Sequence, residues 1–250
     1  MWVWKERHSF NWTTDLVTSY EELSAAIGAV NRWLVPYEDP PLTLMFRGQD
    51  TDAPLLSRPL DCLGRDVVKC ALEKMLEICR KHLDAQLTDK HVYFLMRHAG
   101  LPSMIVDWSN SWHVALWFAI HTQERTVKDG GASLWAIRTM VGPVKGWPTL
   151  FHADSFACER SRRQDGFAYH LHFEVNKQGE SRIIRMNRDP IYGRRLFRIP
   201  IAGDYAQIEA ELLARDPSLK EITEAESPIP EDVVSACKKS FFDITGRSLE

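Results

Sequence analysis

Hydrophobic positions recur along this chain in two periods, and the changes from one to the other mark out its elements. Leu23, Ile27, Val30, Trp33 and Leu34 fall at helical spacing. They follow Ser19-Tyr-Glu-Glu22, a capping-box pattern with Ser at the cap and Glu three residues on, which predicts an amphipathic helix over 20–34. After the turn-rich loop from Pro36 to Pro41 the period drops to two. In Leu42-Thr-Leu-Met-Phe-Arg-Gly48, Leu42, Leu44 and Phe46 point one way and Thr43, Met45 and Arg47 the other, a half-buried strand ending at Gly48. Helical spacing returns with Val67, Val68, Ala71, Leu72, Met75, Leu76 and Cys79, predicting a helix from Asp66 to about Leu83. A further helix is expected over about 89–97.

The stretch from Phe94 to Ile120 organises the rest. Gly100-Leu-Pro102 ends the preceding helix, because Gly tolerates φ > 0 and Pro disfavours helical geometry before it. Met104-Ile-Val106 reads as a short buried strand that delivers Asp107, Trp108 and Ser109 to its end. Asn110 or Ser111 then caps a helix carrying Val114, Leu116, Trp117, Phe118 and Ile120. A strand end followed at once by a helix N-terminus offers free backbone N–H groups to an anion such as a diphosphate.

Strands follow in Ala132–Thr139, with Leu134, Ala136 and Arg138 on one face, in Tyr169–Phe173, around Ile183-Ile184, and in Leu196–Ile199. Asp204-Tyr-Ala-Gln207 opens a helix bearing Ile208, Leu212 and Leu213, and a last helix runs from Pro230 to about Phe242. Trp2, Trp4, Phe10 and Trp12 alternate loosely, as in a strand laid on the core. The sum is an α+β fold, a mixed and mainly antiparallel sheet with flanking helices. No linker or internal repeat divides the chain, so 1–250 reads as a single domain.

Composition narrows the function. The chain has 250 residues, 44% of them apolar and 10% aromatic, which suits a filled globular core. The net charge of −3 makes no global case for nucleic acid. The longest apolar run, Val114–Ile120, is too short to cross a bilayer, and the N-terminus lacks the apolar core of a signal peptide. Five scattered Cys without a C-x-x-C pair speak for a reducing compartment, so the cytoplasm is the expected location. His170 and His172 share a strand face, but no third ligand at suitable spacing makes a metal site. Six Arg between 182 and 198 form a local basic face, whose bland reading is a solvated surface.

Several short motifs agree in series with one family. Phe46-Arg47-Gly48-Gln49, His98-x-Gly100-Leu101-Pro102, Asp107-Trp108-Ser109, Ala115-Leu116-Trp117-Phe118-Ala119 and Gln164-x-Gly166-Phe167 resemble the FRG domain in order and spacing, over roughly residues 40–215. The family pattern carries Pro-Thr-Arg where this chain has Pro102-Ser103-Met104, so one Arg is missing, and the chain either binds its ligand differently or uses another Arg, Arg97 or Arg163. The Gln before His is here Arg97, and Ser109 stands in place of Thr.

The resemblance implies an ADP-ribosyltransferase-like fold and NAD as ligand or substrate. Arg47, with Gly48 and Gln49, would then touch NAD from the first strand. Trp108, Ser109 and Phe118 would lie on its nicotinamide side, and Gln164 would fall where transferases carry a catalytic Glu. Cleaving the nicotinamide–ribose bond passes through an oxocarbenium-like state, which a nearby carboxylate stabilises. Gln164 has no charge to offer, so Asp107, or else Glu159, is the expected carboxylate. His98 is a candidate to orient substrate or move a proton, against the bland reading of a structural hydrogen-bonder.

Three functions follow, in order. The first is an NAD-consuming enzyme, an ADP-ribosyltransferase or NAD glycohydrolase, as in a toxin or phage-defence effector with a protein or nucleic-acid acceptor and an inhibitory partner. The second is a non-catalytic nucleotide-sensing module. The third is nucleic-acid contact through the basic face between Arg160 and Arg198.

Overall fold

In the computed structural model the chain folds around one mixed sheet, with order β1-β2-β10-β5-β3-β4-β7-β6 among the described residues. Those residues are 5–7, 11–34, 42–50, 60, 63–121, 131–140, 151–152, 166–171, 173–175, 179, 181–184, 186–189, 191–224 and 227–249. The strands are β1 (Lys5–Arg7), β2 (Asn11–Thr13), β3 (Leu42–Gln49), β4 (Ile105–Ser109), β5 (Ala132–Met140), β6 (Phe151–His152), β7 (Gly166–His170) and β10 (Leu196–Ile201). A separate hairpin pairs β8 (Phe173–Val175) with β9 (Ser181–Ile183). All neighbours in the large sheet are antiparallel except β10 and β2. The expected mixed, mainly antiparallel α+β architecture is thus present. Strands from both ends of the chain, β2 and β10, lie side by side in it.

Seven helices are described: α1 (Tyr20–Leu34), α2 (Arg65–Arg80), α3 (Asp89–His98), α4 (Trp112–Ile120), α5 (Tyr205–Arg215), α6 (Lys220–Glu224) and α7 (Glu231–Thr245). None is long and apolar enough to cross a membrane. They divide between the two faces of the sheet. On one face α1, α4, α5 and α6 bury Leu23, Val30, Leu116, Trp117, Leu212 and Ile222 against Phe46, Leu134, Ala136, Phe197 and Ile199. On the other, α2, α3 and α7 bury Leu72, Met75, Met96, Val234 and Phe241 against Met45, Trp108, Trp135 and Ile137.

The signals read from the sequence place most of these elements. Ser19 Oγ accepts the Glu22 N–H, and the Glu22 carboxylate turns back to accept from the backbone of Ser19 and from Thr18. Ser111, not Asn110, caps α4 by accepting the Val114 N–H, and Asp204 caps α5 through the Ala206 and Gln207 N–H groups. Gly100 takes φ +75 just beyond α3, the left-handed position that glycine fills without strain.

Four expectations are corrected. First, β3 is not half-buried: it lies inside the sheet between β5 and β4, with core on both faces, so Arg47 is no edge arginine. Second, β4 is longer than Met104–Val106: it runs Ile105–Ser109, and Asp107, Trp108 and Ser109 form its C-terminal end, all three paired with β7. Third, the strand expected over Tyr169–Phe173 is two. β7 ends at His170, Leu171 N–H turns to the Met104 carbonyl, and Phe173 belongs to the β8–β9 hairpin. Fourth, Arg198 does not belong to a solvated basic face. It is buried and donates from Nε and Nη2 to Ser133 Oγ, at 3.1 and 3.0 Å. The alternation expected of Trp2, Trp4 and Phe10 falls outside the described residues.

Candidate functional site

β3 is held very differently along its two edges. Toward β5 it is laddered throughout, from Leu42↔Met140 to Gln49↔Ser133. Toward β4 the described pairing is Phe46↔Ser109 alone. Carried two residues on, that register sets Gly48 opposite Asp107, but there the strands have parted and a side chain fills the fork. Arg47 Nη1 donates to the Asp107 carbonyl oxygen at 2.9 Å and to Asp107 Oδ1 at 2.7 Å. The guanidinium gives the β4 backbone a donor where no β3 N–H pairs with it, in keeping with the need of buried carbonyls for partners.

Helix α4 is what sits against the strand here. A Cβ on Gly48 would overlap the Ala115 carbonyl oxygen and stand 2.7 Å from Ala119 N. Glycine is required for this close approach of strand and helix backbones, since any side chain would force them apart. Phe46-Arg47-Gly48, Asp107-Trp108-Ser109 and Ala115…Ala119 are therefore three sides of one junction.

A second guanidinium completes it. Arg97, in the last turn of α3, donates from Nε to Asp107 Oδ1 at 2.8 Å, so both arginines converge on one oxygen. The side chains of Arg47, Asp107 and Arg97 are 10%, 28% and 33% exposed, grading from buried floor to open mouth. Burial pushes the Asp107 carboxyl up, but the Arg47 and Arg97 guanidiniums outweigh it and hold the group well below the usual carboxylate range, with His98 adding to the effect. Burial lowers Arg47, and Asp107 pulls it back; for Arg97 the attraction of Asp107 comes first and raises it. Arg47 and Arg97 both face the ionised Asp107, and Asp50 also acts on Arg47. Arg47 Nε is buried and has no hydrogen-bond partner, nor has the buried Gln49 Oε1. A ligand with acceptor oxygens suits the unsatisfied donor; no metal does. Among the described residues no group of three or more His, Cys, Asp and Glu could share a metal ion.

The other expected residues distribute as follows. Gly48 and Gln49 end β3 at the junction. Ser109 is buried and its Oγ accepts the Ser111 N–H, leading the chain into α4. Trp108 lies in the core beneath α2 and α3, so it serves packing and not a nicotinamide face. Phe118 packs against the opposite core from α4. His98 is buried with its ring 4.5 Å from Phe94, the position of a structural histidine near the charged cluster. Gln164, Arg163 and Glu159 fall outside the described residues, as does the side-chain placement of His170 and His172.

Trp135 was not anticipated. It lies opposite Arg47 in the β5 register and on the same face, and the residue opposite it on its other side is Arg198. The alternation of β5 carried this signal, because Ser133, Trp135 and Ile137 share the face opposite Leu134 and Ala136.

No curated protein and no solved structure matches the chain. The FRG domain family model matches residues 43–128, from β3 to beyond the end of α4. The matched segment contains every residue of the junction, Arg47, Gly48, Arg97, Asp107, Ala115 and Ala119 alike, so the likeness of this chain to the FRG domain family covers the whole site.

Proposed function

We propose that the FRG segment binds an NAD-class dinucleotide by its diphosphate at the β3–β4 fork, with Arg47 and Arg97 as the anion clamp. One observation carries this reading: two guanidiniums meet a single carboxylate oxygen at a half-open fork. Guanidinium forks match phosphate oxygens in geometry and charge. Arg97 supplies the cation that Ser103-Met104 lacks relative to the family pattern. The reading rests on the family resemblance for the identity of the nucleotide and on the cluster for its anionic part.

Asp107 serves here as the counter-charge that holds the two arginines side by side. A carboxylate engaged by two cations has its field largely cancelled, and with its titration displaced so far downward it cannot act as a general acid near neutral pH.

NAD cleavage, with ADP-ribosyl transfer or hydrolysis, is the second reading. What favours it is that Asp107 stays ionised while more than a quarter exposed, as an oxocarbenium-like state at the ribose demands.

The test is calorimetric titration of NAD and of ADP-ribose into the protein, followed by assay of the same samples for nicotinamide. Saturable binding of both, lost in Arg47→Ala and weakened about tenfold or more in Arg97→Ala, is expected for the clamp. Nicotinamide release by the wild type that Asp107→Asn abolishes would move the reading to the enzyme. Absence of binding to either ligand would overturn both.

A further inference from the structure

The C-terminal helix meets the rest of the fold through a pair of thiols. α7 packs along α2 on the face of the sheet that carries Arg47. Cys79 lies in the last turn of α2 and Cys237 near the middle of α7. Both are free and fully buried, and their sulfurs are 3.6 Å apart although the residues are 158 positions apart in the chain. Cys237 Sγ also donates a hydrogen bond to the Met75 carbonyl oxygen at 3.7 Å. Buried cysteines ordinarily act as small hydrophobes, and each alone would pack well here. Two facing each other across a helix pair are also one bond short of a cross-link.

We propose that Cys79 and Cys237 form an oxidisable dithiol site, which a hydroperoxide closes into a disulfide tying α7 to α2. In the first step the Cys79 sulfur attacks a peroxide oxygen. An S–O bond forms, the O–O bond breaks, and the departing alkoxide or hydroxide takes the Cys79 proton. In the second step the Cys237 sulfur attacks Cys79. The S–S bond forms, the S–O bond breaks, and hydroxide leaves with the Cys237 proton as water. Two thiols are oxidised by two electrons, and the hydroperoxide is reduced to an alcohol, or to water, plus one water.

Either sulfur can donate the hydrogen bond between them, so the same disulfide forms if the two exchange roles. Both sulfurs are fully buried, so the reaction requires local opening of α7 from α2, which urea below the unfolding transition promotes. Cys70, on the exposed side of α2, has no such neighbour among the described cysteines and serves as an internal control.

The full chain is reduced, exposed to hydrogen peroxide with and without urea below its unfolding transition, alkylated under denaturing conditions and mapped by mass. The expected result is loss of two hydrogens, a Cys79–Cys237 cross-linked peptide, and a melting temperature raised by about 5 °C or more, since the link closes a very long loop. Both effects persist in Cys70→Ser and vanish in Cys79→Ser and in Cys237→Ser. Alkylation of both Cys79 and Cys237 after peroxide in urea, or oxygen addition at either without the cross-link, would overturn the proposal.

Discussion

The two edges of β3 show what a sheet does when its ladder is complete and when it is not. On the β5 side every residue from Leu42 to Gln49 has a partner, and backbone hydrogen bonds do the joining. On the β4 side the described ladder is the single pair Phe46↔Ser109, and joining passes to side chains, with Arg47 reaching the Asp107 carbonyl and carboxylate. The closed edge needs only β-formers of the right size. The open edge needs a glycine, a guanidinium and a carboxylate, and it leaves donor capacity unused. Candidate chemistry collects at the open edge because a buried backbone carbonyl there must be satisfied by something other than a strand.

The largest effect that would break this contrast is at Gly48. Gly48→Ala drives a methyl into the Ala115 carbonyl, and backbone does not yield as a side-chain tip does. The expected loss is more than about 4 kcal/mol, seen as insoluble expression or as loss of the cooperative thermal transition. A well-folded Gly48→Ala protein with wild-type melting would show that α4 is not seated on β3.

Next comes Arg47→Met, which keeps bulk but removes the donor to β4. It strands the Asp107 carbonyl and takes away one of the carboxylate's two cations, for an expected cost of about 2–4 kcal/mol in urea unfolding. On the closed edge Met45→Leu, which changes no hydrogen bond, should cost less than about 1.5 kcal/mol. Equal costs at the two positions would erase the distinction between the edges.

The smallest effect is in pH. Asp107 is held below the value of an unfolded Asp, about 3.9. A depressed carboxyl contributes stability that is fully present above the unfolded value and is lost as pH falls through the folded one. Urea midpoints should therefore be flat in this contribution from neutral pH to about 5, then fall from about 4 downward. Asp107→Asn should start lower at neutral pH and show a shallower acid slope. The same acid slope in both proteins would remove Asp107 as the linking group.

Much of the element order was legible along the chain. Helical spacing and caps located α1, α2, α5 and α7 to within a few residues, because amphipathic periodicity and capping are local. Strand faces were read less well. Thr43 and Arg47 looked like a solvent face, since polar residues on a strand usually are, whereas Met45 between them is buried in the core under a second helical layer. Arg198 misled in the same way: charge was taken for surface, and Ser133 across the strand pair gave it a buried partner. The break between β7 and β8 had no marker in Tyr169–Phe173, because it follows from where β4 begins and not from the residues that break.

By itself the sequence determined which residues belong to the junction. Glycine, arginine and aspartate stand in motifs whose order and spacing resemble the FRG domain over roughly residues 40–215, of which the family model matches 43–128. Only the tertiary structure decided what those residues do to one another. Arg47 and Asp107 are 60 positions apart, and whether they form a site or two surface charges depends on strands β3 and β4 being neighbours that diverge. The choice of Arg97 as the second cation was equally a matter of where α3 ends above β4. Pairing across such separations is set by the packing of whole layers, and no local propensity records it.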